Sequence, residues 1–324
     1  MALVALLSNP RSTGNKSLLP EVRSFCAEQA DIFHYEVEQA DQIACALKTI
    51  ARVKPKVLVI NGGDGTVQAA LTELYQGGHF GDNPPPVAVL PNGKTNLIAL
   101  DLGAKGSALS ALKEIVEIAR NDELESHIVV RQMIALSGGS SEKPVLGMFL
   151  GGAGLAEFIL YCRHKIYPLG LPNGLSHVLA GIAGFISLLF KAPFEFLPRR
   201  SQPLRISLIR NGEVQGNYAL LIVTTLEKLL LAGKSGSWYS SRDRLKFFAV
   251  DQNPGVVMRM IFAILFGRMG QKKVHGVHIE QGDEIRIDGD HSNVILDGEL
   301  FEANEDAPII LRSTEPVPFL KIAA

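Results

Sequence analysis

Four short stretches of this 324-residue chain carry residue types and spacings that could do chemistry. The densest is Asn61-Gly62-Gly63-Asp64-Gly65-Thr66, with three glycines in four positions. Such a run permits close backbone approach, at an entropic cost that an ordinary turn need not carry. Its exposed amides suit phosphate oxygens, whereas Asp64 would repel a bare phosphate. A carboxylate in that place makes sense if it holds Mg²⁺ or takes a proton from an attacking hydroxyl. A helix-entry turn capped by Asp64 uses the same hexapeptide.

The stretch Asn9-Pro10-Arg11-Ser12-Thr13-Gly14-Asn15-Lys16 supplies small residues, hydroxyls and two cations. That set suits a phosphate near a helix start, or a plain capping turn. It is not a Walker loop, because G-x-x-x-x-G-K-[ST] is missing. A third stretch, Pro91-Asn92-Gly93-Lys94-Thr95-Asn96, adds Lys94 to neutralise phosphate charge and Thr95 and Asn96 as hydrogen-bonding side chains. Near the other end lies Leu296-Asp297-Gly298-Glu299. Strand alternation would project Asp297 and Glu299 to one side, where like-charge proximity gives one of them the character of a general base. A solvated hairpin turn explains the same residues.

These loops need elements to position them. Val4 to Leu7, Val57 to Ile60 and Val87 to Leu90 are continuous apolar runs, each followed by one of the first three loops. Runs of this kind suit parallel strands covered on both faces. Helical stretches lie between or after them: Leu18 to Ala30, Gln39 to Ala51, Val67 to Tyr75 and Ala108 to Arg120. The alternation predicts a doubly wound α/β domain over residues 1–126, with ligands at the carboxyl ends of its strands. Residues 127–307 read as an antiparallel β-sandwich with helical insertions. Its strands are Ile128 to Leu136, Val145 to Leu150, Leu204 to Arg210, Tyr218 to Thr224, Leu245 to Val250, Val277 to Ile279, Ile285 to Ile287 and Val294 to Leu296.

Composition narrows the partners. The 32 basic and 33 acidic residues nearly cancel, so no overall field points to nucleic acid. Three cysteines without metal spacing suit a reducing, cytoplasmic setting. Val178 to Phe190 is apolar but shorter than the ~20 residues of a spanning helix. His275 and His278 lack a third ligand at metal-site spacing. The loop Lys234 to Trp238 holds the sole tryptophan.

Taken together, the four loops resemble the diacylglycerol kinase catalytic-domain family of lipid kinases, which includes sphingosine and ceramide kinases. The likeness runs from Asn9-Pro10 through Gly62-Gly63-Asp64-Gly65-Thr66 and Pro91 to Asn96, ending at Asp297-Gly298-Glu299. The glycine-rich loop is shared with NAD kinases, and the Asp-Gly-Glu triplet with the lipid branch. The resemblance implies an N-terminal nucleotide domain, a C-terminal β-sandwich and a final segment, 308–324, returning to the first domain. It implies ATP and Mg²⁺ as co-substrates. Carried over, Asn9, Arg11, Ser12, Thr13, Lys16, Gly62, Gly63, Asp64, Gly65, Thr66, Asn92, Gly93, Lys94, Thr95 and Asn96 would serve the nucleotide. Asp64 would organise metal and γ-phosphate. Asp297 would take the proton of a lipid hydroxyl with Glu299 assisting, and Asp64 is its rival for that role.

Three departures stand out. Lys94 replaces the first Thr of the family's Pro-x-Gly-Thr-x-Asn. Ala156 stands where Gly-x-Gly-x-Asp-Ala expects an acid, with Glu157 one place later. The acidic metal loop is reduced to Arg242-Asp243-Arg244. The expected partner is a lipid met at a membrane surface by a cytoplasmic, peripheral protein, with a homodimer left open. Val178 to Phe190 and Met258 to Phe266, the latter flanked by cations, would either line a lipid cleft or cover the sandwich as core helices. Two rival readings are a kinase acting on a soluble dinucleotide and a nucleotide- or lipid-binding protein that has lost the chemistry.

Overall fold

The strands Val4–Ser8 (β1), Ile32–Glu36 (β2), Val57–Asn61 (β3) and Val87–Val89 (β4) lie parallel, and every residue of β1, β3 and β4 is buried. The computed structural model describes residues 3–93, 96–139, 141–166, 168, 202–208, 212–227, 245–266, 274–289, 292–303 and 307–322. Lys94 and Thr95, Val178 to Phe190, Lys234 to Trp238 and Arg242 to Arg244 lie outside the described residues. The chain divides into two compact units. One comprises Met1–Met133, Val145–Gly147 and Thr314–Ala324; the other comprises Ile134–Pro144 and Met148–Ser313.

In the first unit the helices follow the strands. They are Asn15–Ala27 (α1), Ile43–Val53 (α2), Asp64–Gln76 (α3), Leu97–Asp101 (α4), Ala108–Arg120 (α5) and Leu124–His127 (α6). Helix α2 buries Ile43, Ala46, Leu47 and Ile50, one stripe at helical spacing. Helix α5 buries a wider stripe from Ala108 to Ala119 and starts at Ser107, whose side chain accepts from the Ser110 amide. The sheet order is β2-β1-β3-β4, continued by Val317–Leu320 (β18) and Ile128–Arg131 (β5). The crossover from β1 to β2 runs one way along the sheet and those from β2 to β3 and β3 to β4 run the other. Right-handed crossovers therefore put α1 on one face and α2 and α3 on the opposite face. Helix α1 packs with α5, and α2 with α3. The direction reverses between β1 and β3, which is where an open α/β sheet leaves a crevice.

Two six-stranded antiparallel sheets form the sandwich, all of it in the second unit except Val145–Gly147. One contains Ile134–Gly138 (β6), Ser141–Gly147 (β7), Leu204–Leu208 (β9), Gly212–Gly216 (β10), Glu284–Asp288 (β14) and Ile309–Ser313 (β17). The other contains Phe149–Gly152 (β8), Tyr218–Thr224 (β11), Leu245–Asp251 (β12), Val277–Gly282 (β13), Ser292–Leu296 (β15) and Glu299–Ala303 (β16). Helices Gly154–Tyr161 (α7) and Pro254–Leu265 (α8) also belong to this unit. Val256 and Met260 of α8 pack with Ile222, Phe248 and Val250. The alternate residues Phe247 and Ala249 are buried as well, so β12 is covered on both faces.

Several readings change in detail. Ile128 to Leu136 is two strands in different sheets, β5 beside β18 and β6 beside β17. Val145 to Leu150 breaks at Met148 into β7 and β8. Strand β2 was not among the expected strands: it is a half-buried edge strand, Ile-Phe-His-Tyr-Glu, without a continuous apolar run. The units divide after Met133 and Ser313 rather than at 126 and 307, because β5 pairs within the first sheet and β17 within the second. No helix among the described residues is long and apolar enough to cross a membrane.

Strand β18 joins β4 to β5, and its Phe319 is fully buried. Phe319→Ala is expected to destabilise the protein by ~3–5 kcal/mol, read as a lower urea midpoint. An unchanged midpoint would contradict the docking of this strand.

Candidate functional site

Asparagines stand at the carboxyl ends of three neighbouring parallel strands: Asn9 after β1, Asn61 at the end of β3 and Asn92 after β4. An amide buried there must find its hydrogen bonds inside the protein. The Asn92 Nδ2 donates to Asn61 Oδ1 at 2.7 Å and to Asn15 Oδ1, which uses both of its hydrogens. Asn15 Nδ2 in turn donates to the carbonyls of Asn9 (2.8 Å) and Asn61 (3.0 Å). Asn61 Nδ2 donates to Ser8 Oγ at 3.0 Å, and the hydroxyl of Ser8 also meets His34 Nε2 at 2.9 Å. Asn9 Nδ2 reaches Thr66 Oγ1 in the glycine-rich loop at 2.9 Å. Ser12 Oγ donates to the Asn92 carbonyl at 3.2 Å. These bonds tie all three loops of the first unit into one body.

The backbones also touch. A Cβ placed on Gly93 would lie 3.1 Å from Gly63 Cα and 3.6 Å from the Asp64 nitrogen. The tight side is Gly93, since a Cβ on Gly63 would meet Gly93 Cα at an ordinary 3.9 Å. Asn96, in the left-handed region at φ 53°, accepts the Gly93 N–H with its Oδ1 and so closes the third loop before α4.

Helix α3 begins at Asp64, three residues before the helical pattern becomes apolar at Val67. Its first intrahelical bond runs from Val67 N to Gly63 O, so the amides of residues 64–66 precede the hydrogen-bonded helix. Such amides and the helix dipole favour an anion. Asp64 is half-buried and sits in this first turn without capping it: the N-cap is Gly63.

The sequence-predicted residues of these loops therefore divide by environment. Asn9, Ser12 and Asn92 hold loops together, and Ser12 and Asn92 are buried. Gly62, Gly63, Gly65 and Thr66 form the turn and first helical residues around Asp64. Thr13 and Lys16 are exposed, and Arg11 forms an exposed ion pair with Glu38 at 2.9 Å. Sequence reasoning missed Ser8, Asn15 and Asn61 as functional positions. Their signal was the recurrence of asparagine at strand ends, which alone does not reveal that the side chains face one another.

In the second unit, Asp297 and Gly298 are the two-residue turn between β15 and β16, with Leu296 paired to Glu299. Both turn residues have positive φ, 43° and 99°, the type I′ geometry that an Asp-Gly hairpin prefers. Asp297 is thus off the strand, and the expected common side with Glu299 does not arise: Asp297 is buried and Glu299 exposed. Asp297 Oδ2 accepts from Met148 N at 2.8 Å and Oδ1 from Phe149 N at 3.0 Å. Arg163 donates to the Gly298 carbonyl. Thr224 Oγ1 donates to Met148 O at 2.8 Å, and the buried Lys246 donates to Leu226 O at 2.9 Å. Ala156 is fully buried, whereas the neighbouring Glu157 accepts from Asn293 Nδ2 at 2.9 Å, beside the same hairpin.

Among the described residues no group of three or more His, Cys, Asp or Glu could hold a metal. Asp64 is the one carboxylate in the three loops of the first unit. That donor set fits Mg²⁺ arriving with a nucleotide, since Mg²⁺ is held by one or two carboxylates plus phosphates and waters.

A doubly wound sheet followed by paired antiparallel sheets is the fold of diacylglycerol kinases and NAD kinases. Residues 3–124, which contain all three loops, match the family described as Diacylglycerol kinase catalytic domain. That match supports a kinase, a phosphotransferase, as the class of the first unit. A diacylglycerol kinase from Bacillus anthracis str. Sterne is similar over 95% of this chain and 93% of its own, with TM-score 0.55 and 17% identity. Another chain from that organism, provisionally named a diacylglycerol kinase, has TM-score 0.61 and 16% identity, over 95% of this chain and 93% of its own. An NAD kinase from Archaeoglobus fulgidus in complex with ATP has TM-score 0.50 and 12% identity, covering 98% of this chain and 93% of its own. At these identities the likeness is one of fold. Among curated proteins nothing matches the sequence.

Two measurements check the first unit. Asn92→Ala leaves Asn61 Oδ1 and Asn15 Oδ1 without their donor, so a loss of ~1–3 kcal/mol in chemical denaturation is expected. His34 adds a pH dependence: burial holds its imidazole below the usual value, partly opposed by Glu36 and reinforced by Arg23. The unfolded chain therefore takes up the proton first as pH falls. Stability from neutral His34 is complete above the unfolded value of about 6.5 and is lost as pH drops through the folded value. The difference in Tm between wild type and His34→Gln should shrink between about pH 7 and pH 5.

Proposed function

We propose that this protein is an ATP-dependent lipid kinase that transfers the γ-phosphate to a lipid hydroxyl, diacylglycerol-like or sphingoid. The observation that carries the reading is the three-loop body at the switch point of the first sheet, with α3 starting inside it at Asp64. The family match over residues 3–124 supports phosphoryl transfer, and the structural likeness to an ATP-bound NAD kinase supports ATP as donor. The Asp297-Gly298-Glu299 triplet favours a lipid over a soluble acceptor.

The chain's own residues have distinct tasks. Amides of Gly62 to Thr66 bind the nucleotide phosphates, and the cations Arg11, Lys16 and Lys94 offset their charge. Asp64 would hold the Mg²⁺ that screens the β- and γ-phosphates. Asp297, oriented by the Met148 and Phe149 amides, takes the proton from the acceptor hydroxyl as its oxygen bonds to the γ-phosphorus and ADP leaves. Positioning and electrostatics supply most of the rate enhancement in such transfers. The protein acts peripherally, from the aqueous side of a membrane.

Incubation with γ-labelled ATP, Mg²⁺ and a total lipid extract is expected to label one lipid class. Asp64→Asn and Asp297→Asn should each lower that activity about 100-fold or more, with unchanged circular dichroism. No labelled lipid with any divalent metal would overturn the reading. Formation of NADP from NAD would favour the dinucleotide kinase, for which the likeness to the Archaeoglobus fulgidus enzyme speaks.

A further inference from the structure

Among the described residues six large apolar side chains are more than a third exposed, and three of them, Ile261, Phe262 and Phe266, stand at the C-terminal end of α8. Single exposed apolar residues are ordinary, whereas a cluster marks an interaction surface. Phe262 is 51% and Phe266 68% exposed, with their rings stacked 6.3 Å apart. At ~100° per residue, Gly255, Arg259, Phe262 and Phe266 fall on one stripe. Val256 and Met260 lie roughly 100–140° round the helix from Gly255, packed with Ile222, Phe248 and Val250. The helix therefore has an apolar face in the core and a second apolar face outward.

Charge selects what that outward face would meet. From Gln252 to Ile279 there is no Asp or Glu, while Arg259, Arg268, Lys272 and Lys273 all fall within the stretch. In a chain of net charge −1 this stretch of sequence is locally cationic, and the exposed Arg259 shares the stripe of Phe262 and Phe266. A second copy of the chain would bring like charges together, because a two-fold interface pairs a patch with itself. An anionic bilayer offers the complement: rings enter the headgroup–acyl boundary and the arginine keeps its head at the phosphates.

The geometry points to the outer face of α8 as a docking element for an anionic phospholipid surface. This deepens the lipid-kinase reading by naming where the protein meets its acceptor, and rests on it only for that purpose. The test uses the full chain without nucleotide, sedimented with vesicles of phosphatidylcholine alone or with phosphatidylglycerol added. Wild type should sediment with the anionic vesicles and less with the neutral ones. The double variant Phe262→Ser/Phe266→Ser should lower the partition ~tenfold or more, and Arg259→Glu should lower it on anionic vesicles, both with wild-type Tm. Failure of wild type to sediment, or equal sedimentation of the variants, overturns the inference. So does a wild-type dimer in ultracentrifugation that Phe262→Ser/Phe266→Ser dissolves. Sedimentation without any phosphorylated lipid would support the docking and count against the kinase.

Discussion

Amides withdrawn from water must be paired inside the protein, and at the ends of β1, β3 and β4 they are paired with one another. Asn9, Asn15, Asn61 and Asn92, with Ser8 and Thr66, form a chain of bonds in which each loop's side chains satisfy another loop's groups. Interior hydrogen bonds are strong because little water competes, and the same low dielectric makes any broken one costly. No loop can shift without leaving an orphaned amide in another. A site for a charged substrate gains from such rigidity, since donors already in place need not reorganise during the reaction.

The inward turn of those side chains has a second consequence. With Ser12 and Asn92 buried, and Gly63 against Gly93, the backbones of the second and third loops meet beside the Asp64 amide. A surface of amides at a helix start recognises phosphate by its charge and shape and ignores the rest of the nucleotide. Any discrimination beyond the phosphates must then come from other parts of the chain.

Asp297 shows how turn geometry can fix the aim of a side chain. A positive φ at the first turn position suits Asp, and Gly298 takes the second at φ 99°. The tight turn aims the carboxylate back at the Met148 and Phe149 amides, where β7 gives way to β8. The hairpin and the carboxylate's orientation are thus one structural fact. Helix α8 is a comparable case, with one apolar face needed by the sandwich and another directed outward.

Much of the fold was legible in the sequence because its signals are local. Continuous apolar runs mark β1, β3, β4 and β11, and helical periodicity places α5 at Ala108–Arg120. The glycine-rich hexapeptide identifies its own loop. The edge strand β2 was hidden, since its half-buried Ile-Phe-His-Tyr-Glu carries no continuous apolar run, and so was the break between β5 and β6, where both halves are equally β-prone. The side-chain partners of Asn15 and Asn61, the separation of Asp297 from Glu299 and the exposure of Phe262 were decided only by tertiary structure. Propensity and periodicity follow from neighbours along the chain, whereas a buried amide's partners lie 31 to 77 residues away. Chain spacing holds no record of which of them the folded sheet brings within reach.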